Sequence, residues 1–161
     1  MAVRRIIRLL RFKVEFNYPK SVRFRCVKCG LCCGDTKTKT RHIILLKSEA
    51  DQISKTMLQP ISQFAAKIEG REPYIYEMRK RENGKCVYLE NNRCNIYKNR
   101  PLICRFYPFE LSSYGGKYSF QFTEECSGIN KGRILRETYF RKIYNLALAK
   151  YRRITESSRR I

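Results

Sequence analysis

Cys26-Val27-Lys28-Cys29-Gly30-Leu31-Cys32-Cys33 places four thiols within eight residues of a 161-residue chain. A Cys-x-x-Cys turn directs two thiolates at one cation while the intervening backbone N–H groups face sulfur. Gly30, directly after the second cysteine, permits the backbone conformation such a turn uses. Cys86, Cys94, Cys104 and Cys126 bring the total to eight. Isolated cysteines pack as small hydrophobes, which accounts for one or two of them but not for four in so short a run. All eight therefore read as metal ligands. Eight thiolates divide evenly into two tetrahedral zinc sites of four cysteines each. The adjacent Cys32 and Cys33, pointing differently, would serve different sites. Cys26, Cys29 and Cys32 also have the spacing of a tripod for a [4Fe-4S] cubane with a remote fourth ligand. Ligand count and geometry favour zinc, with [4Fe-4S] as the alternative.

That reading depends on the redox compartment. No run of about 18 apolar residues exists to span a bilayer. Arg4, Arg5, Arg8 and Arg11 interrupt the N-terminal apolar stretch, which excludes a signal peptide core. The expected location is cytoplasmic, where thiols stay reduced and clustered cysteines bind metal; disulfides would be the exception of a hyperthermophile.

The chain carries 35 Lys and Arg against 14 Asp and Glu, a formal net charge of +21. Residues 1–41 hold 12 basic residues against Glu15 and Asp35, and residues 131–161 hold 10 against Glu137 and Glu156. The middle, 42–130, is nearly balanced, with 13 basic and 10 acidic residues. Excess of one sign at both ends cannot be neutralised by i,i+4 pairing. Phosphate contact with counterion release is the favoured purpose, over a membrane surface. The candidate RNA ligands are Arg4, Arg5, Arg8, Arg11, Lys13, Arg23 and Arg25 at the first end. At the second they are Arg133, Arg136, Arg141, Lys142, Lys150, Arg152, Arg153, Arg159 and Arg160.

Leu10 to Tyr18 alternates apolar and polar residues, a half-buried strand, and Val22, Phe24 and Cys26 resume the alternation after Pro19-Lys20. A hairpin delivering Cys26 is expected. His42–Leu46 reads as a buried strand, with the lone His42 a strand-end residue rather than a ligand. Ser48 and Asp51 form a capping-box pattern opening a helix to about Met57, and Pro60 opens a second helix closed near Ile68 by Gly70. Asn83-Gly84 predicts a hairpin between Tyr74–Arg79 and Lys85–Leu89, and Gly115-Gly116 another within Tyr114–Phe122. Beyond Gly132 one long helix is expected, with Ile134, Leu135, Tyr139, Ile143, Leu146, Ala147 and Tyr151 on its apolar stripe. The fold class is α+β: a small metal-stapled domain with a basic N-terminal arm and a long basic C-terminal helix. Three segments follow: arm 1–19, cysteine domain 20–132, and helix and tail 133–161. The central segment is expected to hold metal without its ends.

The sequence resembles the CxxCxxCC cysteine-cluster family of zinc- or iron-chelating proteins. The resemblance is carried by CVKCGLCC at 26–33, CVYLENNRCNIYKNRPLICRFYPF at 86–109 and EECSGINKG at 124–132. Ser127 departs from it, standing where many relatives would have proline, and the two basic ends lie outside the pattern. The family includes flagellin lysine methylases as parts of larger chains. The resemblance implies metal binding and leaves open an iron–sulfur redox or methyl-transfer enzyme as the alternative function. Arg100 and Arg105 are candidates for neutralising thiolate charge from behind the ligands. No phosphate-binding glycine loop appears, no small-molecule substrate is identified, and no enzyme activity is expected. Tyrosine-rich, tryptophan-free, basic usage fits a thermophilic archaeal source. The favoured reading is a structural metal protein of the ribosome, touching rRNA and neighbouring ribosomal proteins.

Overall fold

The computed structural model describes residues 14–158, and the side chains of the last helix as far as Arg152. Among these residues, four short sheets and four helices build an α+β fold around two hydrophobic cores. One core lies beside most of the cysteines and the other under the C-terminal helix.

The first core rests on the antiparallel sheet of β3 (Ile44–Leu46), β4 (Ala65–Lys67) and β5 (Tyr74–Met78), ordered β3-β5-β4. The apolar run before α1 (Lys47–Met57) supplies Ile43, Leu45 and Leu46, all essentially sealed from water. The cap of α1 is not the expected one. Leu46 N–H donates to Glu49 Oε2 at 3.1 Å, and Leu46 has no side-chain oxygen to reciprocate. Glu49 is 2% exposed. Its Oε1 also accepts Leu102 N–H at 2.8 Å and lies 3.2 Å from Lys150 Nζ, so one carboxylate ties three helices together.

The helix expected from Pro60 to about Ile68 is shorter. α2 (Ile61–Phe64) makes one turn and the chain becomes β4, because Ala65, Ala66 and Lys67 pair with Met78, Glu77 and Tyr76. Burying Phe64 and Ala65 against this sheet outweighs the local preference for helix.

β6 (Leu89–Glu90) and β7 (Arg93–Cys94) form a two-stranded ribbon. A 3-10 turn at Tyr97–Asn99 then leads to α3 (Leu102–Phe106). The second core lies beyond. β8 (Phe109–Tyr114) and β9 (Lys117–Phe122) form the hairpin expected at Gly115-Gly116, and β1 (Phe16–Asn17) pairs with β9 in parallel. β2 (Arg23–Phe24) pairs with β10 (Ile129–Ile134). The expected β1–β2 hairpin therefore does not form within the described residues. Phe16 stacks on Tyr144 and meets Phe120 edge-on, which draws β1 to one sheet while β2 joins another. The part of that strand from Leu10 to Lys13 lies outside the described residues.

α4 (Glu137–Ser158) begins later than Gly132 predicted, since residues up to Ile134 belong to β10; Ile134 is 57% exposed and drops out of the apolar stripe. Leu135 also precedes the helix. Of the other expected positions, Ile143 and Ala147 are buried and Tyr139, Leu146 and Tyr151 half-buried. The centre of the stripe is taken by Phe140 and Tyr144, which the expectation left out, with Phe140 packed on Phe109 and Phe120. β1 and α4 thus share one core with Val22, Cys126 and Ile129.

Candidate metal centre

Gly30 starts the assembly. Its φ of +74° lets the chain turn back so that Cys33 N–H donates to the Gly30 carbonyl at 3.0 Å, opening a 3-10 turn over Leu31–Cys33. Gly34 then passes very close to the Asn83-Gly84 turn: a Cβ there would sit 2.5 Å from the Gly84 oxygen. This contact explains why the expected second strand of that hairpin, Lys85–Leu89, is reduced to isolated bridges. Asp35 N–H donates to the Gly84 carbonyl at 3.0 Å, and Cys86 N–H donates to the Cys33 carbonyl at 2.6 Å. Lys85 and Val87 keep hairpin hydrogen bonds with Arg81 and Arg79, while the Cys86 N–H between them is turned to Cys33.

Around Cys33 the thiols gather. Its Sγ lies 3.6 Å from Cys32 Sγ and interacts with the Cys94 thiol as well. These two hydrogen bonds push the Cys33 thiol far up, so it keeps its proton. The same bonds bring Cys32 down to about 6 and Cys94 down to about 7. Burial pushes Cys86 up to about 11 and raises Cys104, which α3 delivers one turn after Pro101. Cys86 and Cys104 each sense Cys32 and Cys94 electrostatically. Cys32, Cys33, Cys86, Cys94 and Cys104 all belong to or pack on the first core.

The remaining cysteines are Cys26, Cys29 and Cys126. Of these, Cys126 is buried and senses Cys29 and Cys32. Arg25 N–H donates to the Gly128 carbonyl at 3.1 Å, which sets Cys26 beside the turn that follows Cys126. An inner set around Cys33 and an outer set, whose Cys26 and Cys29 are exposed, lie to either side of the adjacent pair Cys32-Cys33.

Three sulfurs share a backbone device. The N–H groups of Tyr88, Ile96 and Gly128 approach Cys86, Cys94 and Cys126 respectively, each from two residues downstream, and each favours the thiolate. A sulfur receiving peptide N–H groups from its own turn is equipped to carry charge as a ligand rather than to pack as a hydrophobe. Among the described residues, no three or more His, Cys, Asp or Glu side chains form a preset metal cage. The thiols hydrogen-bond one another instead, and a soft cation that displaces their protons suits this all-sulfur donor set.

The family model described as "Putative zinc- or iron-chelating domain" matches residues 25–130. The chain belongs to the CxxCxxCC family. An uncharacterized protein of Methanocaldococcus jannaschii is 32% identical over 132 residues, covering 74% of this chain and 66% of that protein's length. No solved structure matches. As a CxxCxxCC protein the chain binds metal. No described helix is long and apolar enough to cross a membrane.

The cations around this CxxCxxCC cluster differ from expectation. Arg100 acts on Cys32 and Cys94 from its stack on the Tyr97 ring, 3.8 Å away. Arg105 instead clamps the 3-10 turn, donating to the Arg100 and Lys98 carbonyls. The cation that acts most on Cys32 and Cys104 is Arg41, which sequence reasoning missed; it lies eight residues beyond Cys33 with no motif to mark it. His42 stands away from the sulfurs, with Nδ1 2.7 Å from Glu77.

Of the candidate RNA ligands, Arg23, Arg25, Arg133 and Arg136 are exposed on or beside the β2–β10 ribbon, with no carboxylate partner among the described residues. Lys142 and Arg152 are exposed on α4. Arg141 pairs with Glu137 and donates to the Val14 carbonyl, while Lys150 serves Glu49, so both have internal work. Arg4, Arg5, Arg8, Arg11, Lys13, Arg159 and Arg160 lie outside the described residues, as does the Arg153 side chain.

Proposed function

We propose that this protein holds two zinc ions through thiolates alone. The inner site takes Cys33, Cys86, Cys94 and Cys104; the outer takes Cys26, Cys29, Cys32 and Cys126. The supporting observation is the trio of backbone N–H groups aimed at Cys86, Cys94 and Cys126, which a buried hydrophobic thiol does not need. The division follows the two thiol groups and assigns the adjacent Cys32 and Cys33 to different ions. The role is structural: ions held by these thiols would tie the loop at residues 26–33 to Cys86, Cys94, Cys104 and Cys126, and their binding free energy would add to folding free energy. Anaerobic purification with metal and sulfide analysis tests this. Colourless protein with two zinc per chain is expected; iron with acid-labile sulfide and absorption near 400 nm would transfer the reading to [4Fe-4S] chemistry.

The unpaired basic ribbon supports a second function, contact with RNA phosphates beside the outer site. Neither the family description nor the relative's name mentions RNA or ribosomes, so charge alone supports this. RNA affinity should fall on a log–log plot against salt with a slope of several units. Replacing Arg23, Arg25 and Arg133 together with glutamine should flatten that slope by about two to three. An unchanged slope would remove the ribbon from the contact.

A further inference from the structure

A cleft of about 560 Å³ opens between the loop after the cysteine cluster, the β8–β9 hairpin and α4. Its size suits a small molecule, and its lining sets apolar and aromatic side chains beside polar ones such as Lys39, Thr40, Arg41 and Gln121, a combination that can hold an amphipathic ligand. Leu102, Phe106, Leu111 and Ala147 supply apolar wall, and Tyr107 an aromatic face. One cationic side chain there, Arg41, faces the cysteines on one side and keeps hydrogen-bonding capacity to spare on the other. Arg41 Nε donates to the Cys32 carbonyl at 2.9 Å, and its guanidinium carbon lies 4.6 Å from the centre of the Tyr107 ring. Its backbone is pinned on both sides: Arg41 N–H donates to Asp35 Oδ1 at 2.7 Å, and Lys80 Nζ donates to the Arg41 carbonyl at 3.3 Å. The two terminal nitrogens have no acceptor among the described residues, yet the group is held in a fixed orientation.

A guanidinium fixed at Nε and stacked on a ring presents two parallel N–H donors, the fork that carboxylates and phosphates accept in pairs. Preorganisation reduces the entropy lost on binding. Glu110 and Glu125 also line the cleft, and Glu125 is engaged by the Thr38 hydroxyl at 2.7 Å. We propose that this cleft binds a small organic anion, a carboxylate or phosphate head on Arg41 with an aromatic body against Tyr107 and the apolar wall. The site is independent of the identity of the metal. Through the Cys32 carbonyl it touches the residue that joins the two thiol groups, so the ligand would lie beside the metal centre.

The test uses the full-length, metal-loaded protein and four probes: 3-phenylpropionate, phenyl phosphate, the neutral 3-phenylpropanol, and inorganic phosphate. Titration followed by 1H–15N spectra should show saturable binding of the two aromatic anions, at least tenfold tighter than the alcohol or inorganic phosphate. The stronger of the two identifies the head group. Intermolecular NOEs from the bound ring should reach Tyr107 and the Leu102 methyls in the unmodified protein, which avoids any question of misfolding. Arg41→Gln should weaken both anions by about tenfold or more, the loss expected for a bidentate charged pair, and Arg41→Lys should weaken them less. Lys55→Gln, exposed on α1 and outside the cleft lining, should change nothing. Metal content measured on each variant separates a lost anion site from a lost metal site. Absence of saturable binding, NOEs elsewhere, equal affinity for the alcohol, or equal loss in Lys55→Gln would each overturn the proposal.

Discussion

Serine at position 104 keeps the side chain's approximate shape but removes the sulfur that α3 brings to the inner group. Cys104→Ser should therefore lose one equivalent of metal and much of the fold's stability, because metal-binding free energy is folding free energy in such a protein. Cys126→Ser should lose the other equivalent and leave the inner one bound; metal analysis of the two variants reads this directly. Loss of both ions from Cys126→Ser would show that the groups are not separate. Glu49 is the other residue on which much depends. It accepts two backbone N–H groups and a lysine while sealed from water. Glu49→Ala strands these donors and should cost about 3 kcal/mol in a chemical denaturation of the metal-loaded protein. Glu49→Gln, which retains an acceptor, should cost clearly less. An alanine variant within about 0.5 kcal/mol of the parent would mean that solvent satisfies those donors.

Close approach of elements decides how the sulfurs meet. Gly34→Ala would drive a methyl into the Gly84 carbonyl and the Lys85 backbone, parting Cys33 from Cys86. The variant should bind one metal fewer than the parent while the outer site stays filled; unaltered stoichiometry would show that the two loops can shift together. At the other core, Phe140→Ala removes a fully buried ring from α4 and should cost about 3–5 kcal/mol, measured by denaturant midpoint. Much at this scale was readable in advance. Hairpin β8–β9 needed only its Gly-Gly turn, and α4 needed only its helical period. What escaped depended on distant partners. Ala65–Lys67 is a strand only because β5 lies alongside, and Gly84 and Cys86 are drawn to the cysteine loop by hydrogen bonds with Asp35 and Cys33. Neither partner is visible in a local window. The cap was misread for a similar reason, since Glu49 is chosen over Asp51 by the donors of Leu102 and Lys150, some 53 and 101 residues away.

Across the whole molecule, spacing marks the eight cysteines as candidate ligands and the adjacency of Cys32 and Cys33 suggests that these two serve different sites, whereas which distant cysteine lies near which depends on the fold. That Cys32 lies between the inner and outer sets follows from a turn that no spacing rule encodes. The cleft beside Arg41 was equally invisible, because its walls come from widely separated segments. The three-part division into arm, centre and helix meets a fold in which β1 and α4 pack on the core that holds Cys126. A chain of residues 20–132 should accordingly keep the inner metal more firmly than the outer. Its metal content after dialysis checks this, and preferential loss of the inner ion would reverse the assignment.

The most direct test of two four-thiolate sites is a chelator titration of the anaerobically purified full-length protein, with released metal and reactive thiols counted together. The account predicts eight protected thiols at the start and two successive steps, each releasing one zinc and exposing four thiols. The outer site should empty first because Cys26 and Cys29 are exposed. Eight thiols reactive before any chelator is added, or a single step that frees iron and sulfide, would contradict it.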